Sequence, residues 1–427
     1  MRKLCLLGAV TTAILAQPSD PAELLAKARD LIVASAKRLP DYVCVQTVDR
    51  QYFKHLYRQW RPPSCAQIAA FNQEHPRDLV LDSTDRLRIE LKVSQGMEIG
   101  AWPGESRLGS RSVFDLASGG AYGTGALGTF FGDIFERGGA IYTYIGEETA
   151  AGLKLESYGY QVPAGSSHYE VKTGSDWTAT AFSGTFRIDA DSLDLRRLMV
   201  VASELPPESG GCQAETTVEY QKVKVGTGEF LLPLRSSMHI LMTDATESRT
   251  AAVYSGCREY HGEATIRFDR AAVVGEVQET AASTAPLPAG LPLSLALTSP
   301  IDTETAAAGD IVTLKLRKPV RTPEEVLVPA GATVEGRILR MQHRLEKPRH
   351  FTIGLLLEKL EVRGGATQLY AKLDRGDQSR SIVLPPMGQS RLVAALVFTT
   401  DKSRHVVPAR YQTNWVTVAP PAEEMRK

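Results

Sequence analysis

Between residues 42 and 268 lies a series of runs in which apolar side chains recur at every second position, with almost no helical stretches between them. The clearest run is Arg86-Leu87-Arg88-Ile89-Glu90-Leu91-Lys92-Val93, where charged and aliphatic residues alternate without a break. Such a period gives a strand one wet face and one packed face, as in an antiparallel sheet. The same reading predicts strands at 42–48, 86–93, 140–145, 154–161, 168–172, 185–188, 195–202, 216–225, 235–243 and 263–268. Turn residues separate them, at Pro163-Ala164-Gly165-Ser166, 189–191, Gly210-Gly211 and 226–228. Long strands in succession, with almost no helical stretches between them, predict an antiparallel meander and argue against a βαβ architecture.

One helix is expected ahead of the strands, over residues 20–39. Asp20 can cap it, Pro21 suits its first position and Glu23 completes a capping-box spacing. Leu24, Leu25, Ala28, Leu31, Ile32 and Ala36 share one face, which must therefore bury. Residues 271–290, rich in Ala, Thr, Ser, Glu and Pro, read as a linker. Beyond it the strands shorten, at 293–298, 311–316, 325–328, 333–339, 351–360 and 368–373, which predicts a second small β-barrel domain. Further apolar strands fall at 392–399 and 415–418, in a C-terminal extension of that domain.

The first residues carry an export signal. Arg2 and Lys3 precede the apolar run from Leu4 to Ala16, so residues 1–16 are expected to be a signal peptide cut after Ala16. Cys5 lies too early in the run to be a lipidation cysteine. Cleavage removes two basic residues, leaving 47 Lys+Arg (49 − 2) against 49 Asp+Glu, a net charge of −2. That balance lacks the field of a general nucleic-acid binder, so no nucleic-acid partner is expected. No apolar run reaches the roughly 18 to 20 residues needed to span a bilayer. The expectation is an exported protein, periplasmic or extracellular, with no transmembrane segment after cleavage. Cys44, Cys65, Cys212 and Cys257 remain, an even number that favours disulfides in an oxidising compartment. Proximity along the chain suggests Cys44–Cys65 and Cys212–Cys257. Zinc is the rival, but there is no C-x-x-C, and His261 alone lies near a cysteine.

The helix followed by a meander containing Gly184-Thr185-Phe186-Arg187-Ile188-Asp189 and Leu195-Arg196-Arg197-Leu198 resembles the half-barrel of periplasmic lipoprotein carriers and their RseB-like relatives. The resemblance implies an antiparallel curved sheet over residues 17–270 wrapping a helix, with a concave side that can hold acyl chains. Residues 291–427, with Ile301-Asp302-Thr303, Gly309-Asp310 and Val328-Pro329-Ala330-Gly331-Ala332-Thr333-Val334-Glu335-Gly336, look like small β-barrels of the conjugal-transfer TrbI type. The whole is similar to uncharacterised two-domain secreted bacterial proteins. No position matches a defined ligand motif of either family.

Gly123-Thr124-Gly125-Ala126-Leu127-Gly128 matches G-x-G-x-x-G, with Glu148 twenty residues on. A poor preceding strand and a short following helix oppose a dinucleotide site. The better reading is a glycine loop leading into an apolar helix, with Gly123, Gly125, Gly128, Phe130, Phe131, Ile134 and Phe135 as a candidate lid and ligand lining. Asp189, Asp191 and Asp194 fail calcium-loop spacing and suit a turn. His261-Gly262-Glu263 lacks the P-C-x-x-C of a zinc deaminase. Arg337, Arg340, Arg344, Lys347 and Arg349 form a candidate patch for anionic surfaces on a hairpin tip, with a solvated loop as the plainer reading. No cofactor, metal or catalytic residue is expected. The leading expectation is a non-enzymatic envelope protein that binds a lipid or hydrophobic ligand and contacts an envelope partner. The alternatives are a structural or protein-interaction module with a self-filled core, and a secreted hydrolase with a dispersed site.

Overall fold

The computed structural model describes residues 20–56, 64–94, 97–105, 116, 122–123, 129–173, 176–260, 286–362, 365–374 and 393–421. The expected signal peptide, the strand at 263–268, residues 271–285 of the linker, Gly125, Gly128 and His261 lie outside the described residues. The fold is mainly β, built on a large antiparallel sheet.

The first helix, α1 (Pro21–Arg38), starts where Asp20 accepts a hydrogen bond from the Ala22 amide, and it buries Leu24, Ala28 and Ile32. There follow β1 (Tyr42–His55), α2 (Cys65–Glu74), β2 (Leu79–Ser94) and β3 (Met97–Ala101). Next comes α3 (Thr129–Phe131), which runs on as a π-helical turn, Gly132–Glu136. The remaining strands of this part are β4 (Ile141–Ala150), β5 (Leu153–Val162), β6 (Glu170–Thr173), β7 (Asp176–Ala179), β8 (Phe182–Asp189), β9 (Leu195–Ala202), β10 (Gly211–Val225), β11 (Gly228–Met242) and β12 (Glu247–Glu259). Apart from the separate β6–β7 hairpin, they pair antiparallel in the order β4-β5-β8-β9-β10-β11-β12-β1-β2-β3. The order is a meander with one exception: β1 inserts beside β12.

Four of these elements escape the sequence reading: α2, β3, β7 and β12. Helix α2 and strand β12 have weak periodicity; β12 reads Glu-Ser-Arg-Thr-Ala-Ala-Val-Tyr, with small residues on its packed side. Missing β12 is what misassigns the disulfides. The bonds are Cys44–Cys257 and Cys65–Cys212, in place of the expected Cys44–Cys65 and Cys212–Cys257. Cys44 meets Cys257 because β1 lies alongside β12, and Cys65 starts the helix that docks on β10 and β11 through Ile68, Cys212 and Leu241. Both bonds therefore join residues far apart in sequence, 213 and 147 positions.

The second part comprises β13 (Pro292–Leu297), β14 (Ile301–Asp302), β15 (Ile311–Leu316), β16 (Val320–Arg321), β17 (Val326–Val328), β18 (Thr333–Arg344) and β19 (His350–Val362). It ends with β20 (Gly365–Gln368), β21 (Ala371–Leu373), β22 (Ala394–Thr399), β23 (Val406–Val407) and β24 (Gln412–Thr417). The ladder β21-β24-β13-β15-β18-β19, with β20 and β22 both on β19, wraps its own core of Leu295, Leu314, Val334, Ile353, Leu360 and Trp415.

The two parts share backbone hydrogen bonds. The outer edge of β2 is divided: Glu90–Ser94 pairs with β3, while Ser83–Asp85 pairs with β18. Between them Ala308 exchanges hydrogen bonds with the backbone of Arg86 and Arg88. Gly309 is required there, since at φ +108° a side chain would strike the Arg88 carbonyl oxygen. Arg337, expected on an exposed tip, is instead buried in this seam. It pairs with Glu358 at 2.9 Å and donates to the carbonyls of Pro103 and Gly309 at 2.8 and 2.9 Å. The expected patch does not sit on the hairpin tip as a group: Arg337 and Arg340 lie within β18, before the tip at 345–349.

Candidate functional site

Strand alternation decides what faces the concave side of the first sheet. On β1 the inward set is Tyr42, Cys44, Gln46, Val48, Arg50 and Tyr52; on β2 it includes Asp85, Leu87, Ile89 and Leu91. Tyr254, Ala252 and Thr250 of β12 lie opposite Gln46, Val48 and Arg50. The concave face thus has two unlike halves.

Over β5, β8 and β9 it is filled by the protein itself. Phe130, Ile134 and Phe135 are buried with α1 against Tyr158, Phe182, Phe186 and Leu198. Phe135 meets Phe186 edge-on at 5.1 Å, and Phe131, partly buried, lies 5.2 Å from Tyr220. The π-helical turn is tied down at two points. Arg29 of α1 donates to the Phe135 carbonyl, and the buried Asp133 accepts from the His168 amide at 2.7 Å and contacts its ring at 2.8 Å. Gly138, just after this turn, has φ +78°, a conformation that favours glycine, and a β-carbon added there would meet no atom within 4 Å. Gly123, on the other side, is exposed and faces Met238.

Over β1, β2, β11 and β12 buried polar groups are set among the apolar Val48, Leu87, Ile89 and Leu91. The Tyr122 hydroxyl donates to Gln46, the Gln46 amide donates to Tyr254 at 3.0 Å, and Ser236 lies 3.3 Å from the same hydroxyl. Arg50, 2% exposed, holds Asp85 through two bonds of 2.7 and 2.8 Å. Tyr42 is fully buried, and its hydroxyl has no hydrogen-bond partner among the described residues. Burial, reinforced by the Glu98 carboxylate, pushes the phenols of Tyr42, Tyr122 and Tyr254 up; burial then the neighbouring tyrosines do so for Tyr220. All four are neutral hydrogen-bonding groups at ordinary pH and poor general bases. Sequence reading missed this strip. Its only signal is Gln46 and Arg50 at inward positions of β1, where a purely structural core places aliphatic residues.

The sequence-derived acid clusters resolve simply. Asp189 accepts from the amides of Asp191 and Ser192 and from Arg196, closing its turn; burial opposes its ionisation, but these bonds keep its pKa low. Two histidine–carboxylate pairs occur among the described residues, His168–Asp133 at 2.8 Å and His239–Glu247 at 2.9 Å. Neither ring has a serine hydroxyl or thiol bonded to it among the described residues. The second pair serves docking: Glu247 also takes the amide of Asn72, which pins α2 to the sheet. Of the expected basic patch, Arg340 and Arg349 are half-buried, while Arg344 and Lys347 are exposed.

No protein-family model matches this chain, and no curated protein matches it. Solved structures are similar over part of it. A DUF1329 family protein from Desulfovibrio piger has 10% identity and a TM-score of 0.28, covering 57% of this chain and 95% of its own. A LolA superfamily protein from Nitrosomonas europaea has 10% identity and a TM-score of 0.24, covering 55% and 94%. The lipoprotein LppX of Mycobacterium tuberculosis has 13% identity and a TM-score of 0.20, covering 57% and 98%. Two disulfides are consistent with folding in an oxidising, extracytoplasmic setting. No helix among the described residues is long and apolar enough to cross a membrane.

Proposed function

We propose that this protein is an exported, non-enzymatic binding protein of the periplasm or extracellular space. Its first module takes up an amphiphile with an acyl chain on the concave face, beside β1, β2, β11 and β12. The observation that carries this reading is the buried Tyr42 hydroxyl, which has no partner among the described residues and lies on the same face of β1 as Gln46 of the Tyr122–Gln46–Tyr254 chain. A hydroxyl left unsatisfied costs about 1–3 kcal/mol, so a sheet selected only for packing would carry phenylalanine there. A ligand atom that bonds this hydroxyl offsets the cost. The apolar turn that carries Phe130, Ile134 and Phe135 is the natural cover, hinged at Gly138 and latched by Asp133 on His168. The second module, joined through β18, would present a surface to an envelope partner.

A second reading is a scaffold with a self-filled core. It is favoured by the way α1 and α3 already occupy the β5–β8–β9 half. Native mass spectrometry of protein purified from its own envelope separates the two. Co-purified acyl lipid, lost on delipidation and regained on addition of lipid, supports binding. A ligand-free species that takes up no lipid rejects it in favour of the scaffold.

A further inference from the structure

The alternation of β18 changes sense part-way along. Val334, Gly336 and Ile338 are buried toward the second module, and a bulge between Ile338 and Arg340 then places Met341 on that side. Arg340, Gln342 and Arg344 are thereby turned to the opposite face. Gln342 lies directly across from Asp85, and Arg344 from Ser83. Residues paired this way share a face of the sheet, so the β18 side chains continue the concave face past Asp85 and Arg50.

The charges along this row do not balance. Asp85 is committed to Arg50 through both oxygens, and Tyr52 adds a third contact at 3.4 Å. Asp82 lies 4.0 Å from Arg344 but already holds Lys54 at 2.5 Å, and Lys54 also meets Glu346. Arg50, Arg340 and Arg344 thus face Asp82 and Asp85, an excess of one positive charge (3 − 2) that Lys54 with Glu346 leaves unchanged. Arg340 makes no hydrogen bond or ion pair with any described residue, though it is half-buried. Burial pulls its pKa below the ordinary guanidinium value, against the attraction of Asp85 and with the repulsion of Arg344. A guanidinium so placed is partly desolvated, and the one carboxylate that attracts it, Asp85, is already bonded to Arg50, so its planar fork is left for an oxyanion.

We infer that the seam between the two modules holds an anion site, formed by Arg340 with Arg344 and Gln342, that takes a phosphate group. It rests on the acyl-binding reading in one respect: the phosphate is assigned to the head of the amphiphile whose chain lies along the concave face. A free phosphate offers the same chemistry, and the experiment separates the two.

Binding of dodecyl phosphate, of the uncharged dodecyl maltoside and of inorganic phosphate is measured by titration calorimetry, with each detergent kept below its micelle concentration. The proteins are the wild type, Arg340→Gln and Arg340→Lys, each first matched for thermal melting. The expected result is that Arg340→Gln weakens dodecyl phosphate about tenfold or more, that Arg340→Lys recovers part of this, and that dodecyl maltoside is unaffected. Equal affinity of dodecyl phosphate for wild type and Arg340→Gln overturns the anion site and leaves the acyl-binding reading standing. If neither detergent binds the wild type, the acyl-binding reading fails and inorganic phosphate decides. Phosphate binding that Arg340→Gln abolishes keeps the site as one for free phosphate, and no phosphate binding overturns it.

Discussion

Tyr42→Phe tests the central observation with opposite signs in two assays. The ring is fully buried, and phenylalanine keeps its volume, so packing is retained while the hydroxyl is removed. Because that hydroxyl has no partner, its removal relieves part of the roughly 1–3 kcal/mol desolvation penalty of a buried, unpaired group. The ligand-free variant should gain about 1 kcal/mol, a rise of roughly 2–4 °C in melting temperature for a unit of this size. Tyr254→Phe is the matched control. It deletes the acceptor of the 3.0 Å bond from Gln46 and should cost about 1–2 kcal/mol. Urea midpoints at unchanged slope measure both changes. The same Tyr42→Phe protein should bind an acyl amphiphile several-fold more weakly, because the ligand loses its hydroxyl contact. A gain in stability with a loss of affinity is the expected pair. If Tyr42→Phe is destabilised as much as Tyr254→Phe, the hydroxyl has a partner in the ligand-free protein and the reasoning fails.

Three further outcomes follow from the packing. Burial would raise the pKa of Glu247, but its bonds from His239, Asn72 and Arg249 outweigh this and hold it at about 2 against an ordinary 4.5. A depressed carboxylate adds stability above its unfolded pKa and loses it as pH falls. Up to about 3 kcal/mol should therefore disappear between about pH 4.5 and 2, with Glu247→Gln flattening that slope in acid-dependent urea melts. Arg337→Ala strands Glu358 in the seam at a cost of about 3–5 kcal/mol; calorimetry should show one shared transition in the wild type and two in the variant. Cys65→Ser with Cys212→Ser should free α2, read as faster amide hydrogen exchange in residues 65–74, at a cost of about 2–5 kcal/mol.

Local pattern alone was enough to reveal much of this molecule. The alternation through Leu87, Ile89, Leu91 and Val93 set which side of β2 is packed, and Asp20 with the spacing of Leu24, Ala28 and Ile32 set the start and buried face of α1. Those features are legible because side-chain period and capping depend on neighbours a few residues away. Other features depend on which strands lie side by side. Once β1 inserts next to β12, Cys44 pairs with Cys257, and Gln46 meets Tyr254 instead of solvent. The bulge after Ile338 turns Arg340 from the second module toward the first, while Arg337, three residues earlier, is buried on Glu358. A charge run along the chain carries no record of that split. The sequence by itself determined most of the long strands, their wet and dry faces and the first helix. Only the tertiary structure decided which buried polar groups come together, because pairing between distant strands is set by the summed packing of the whole sheet and not by any local signal.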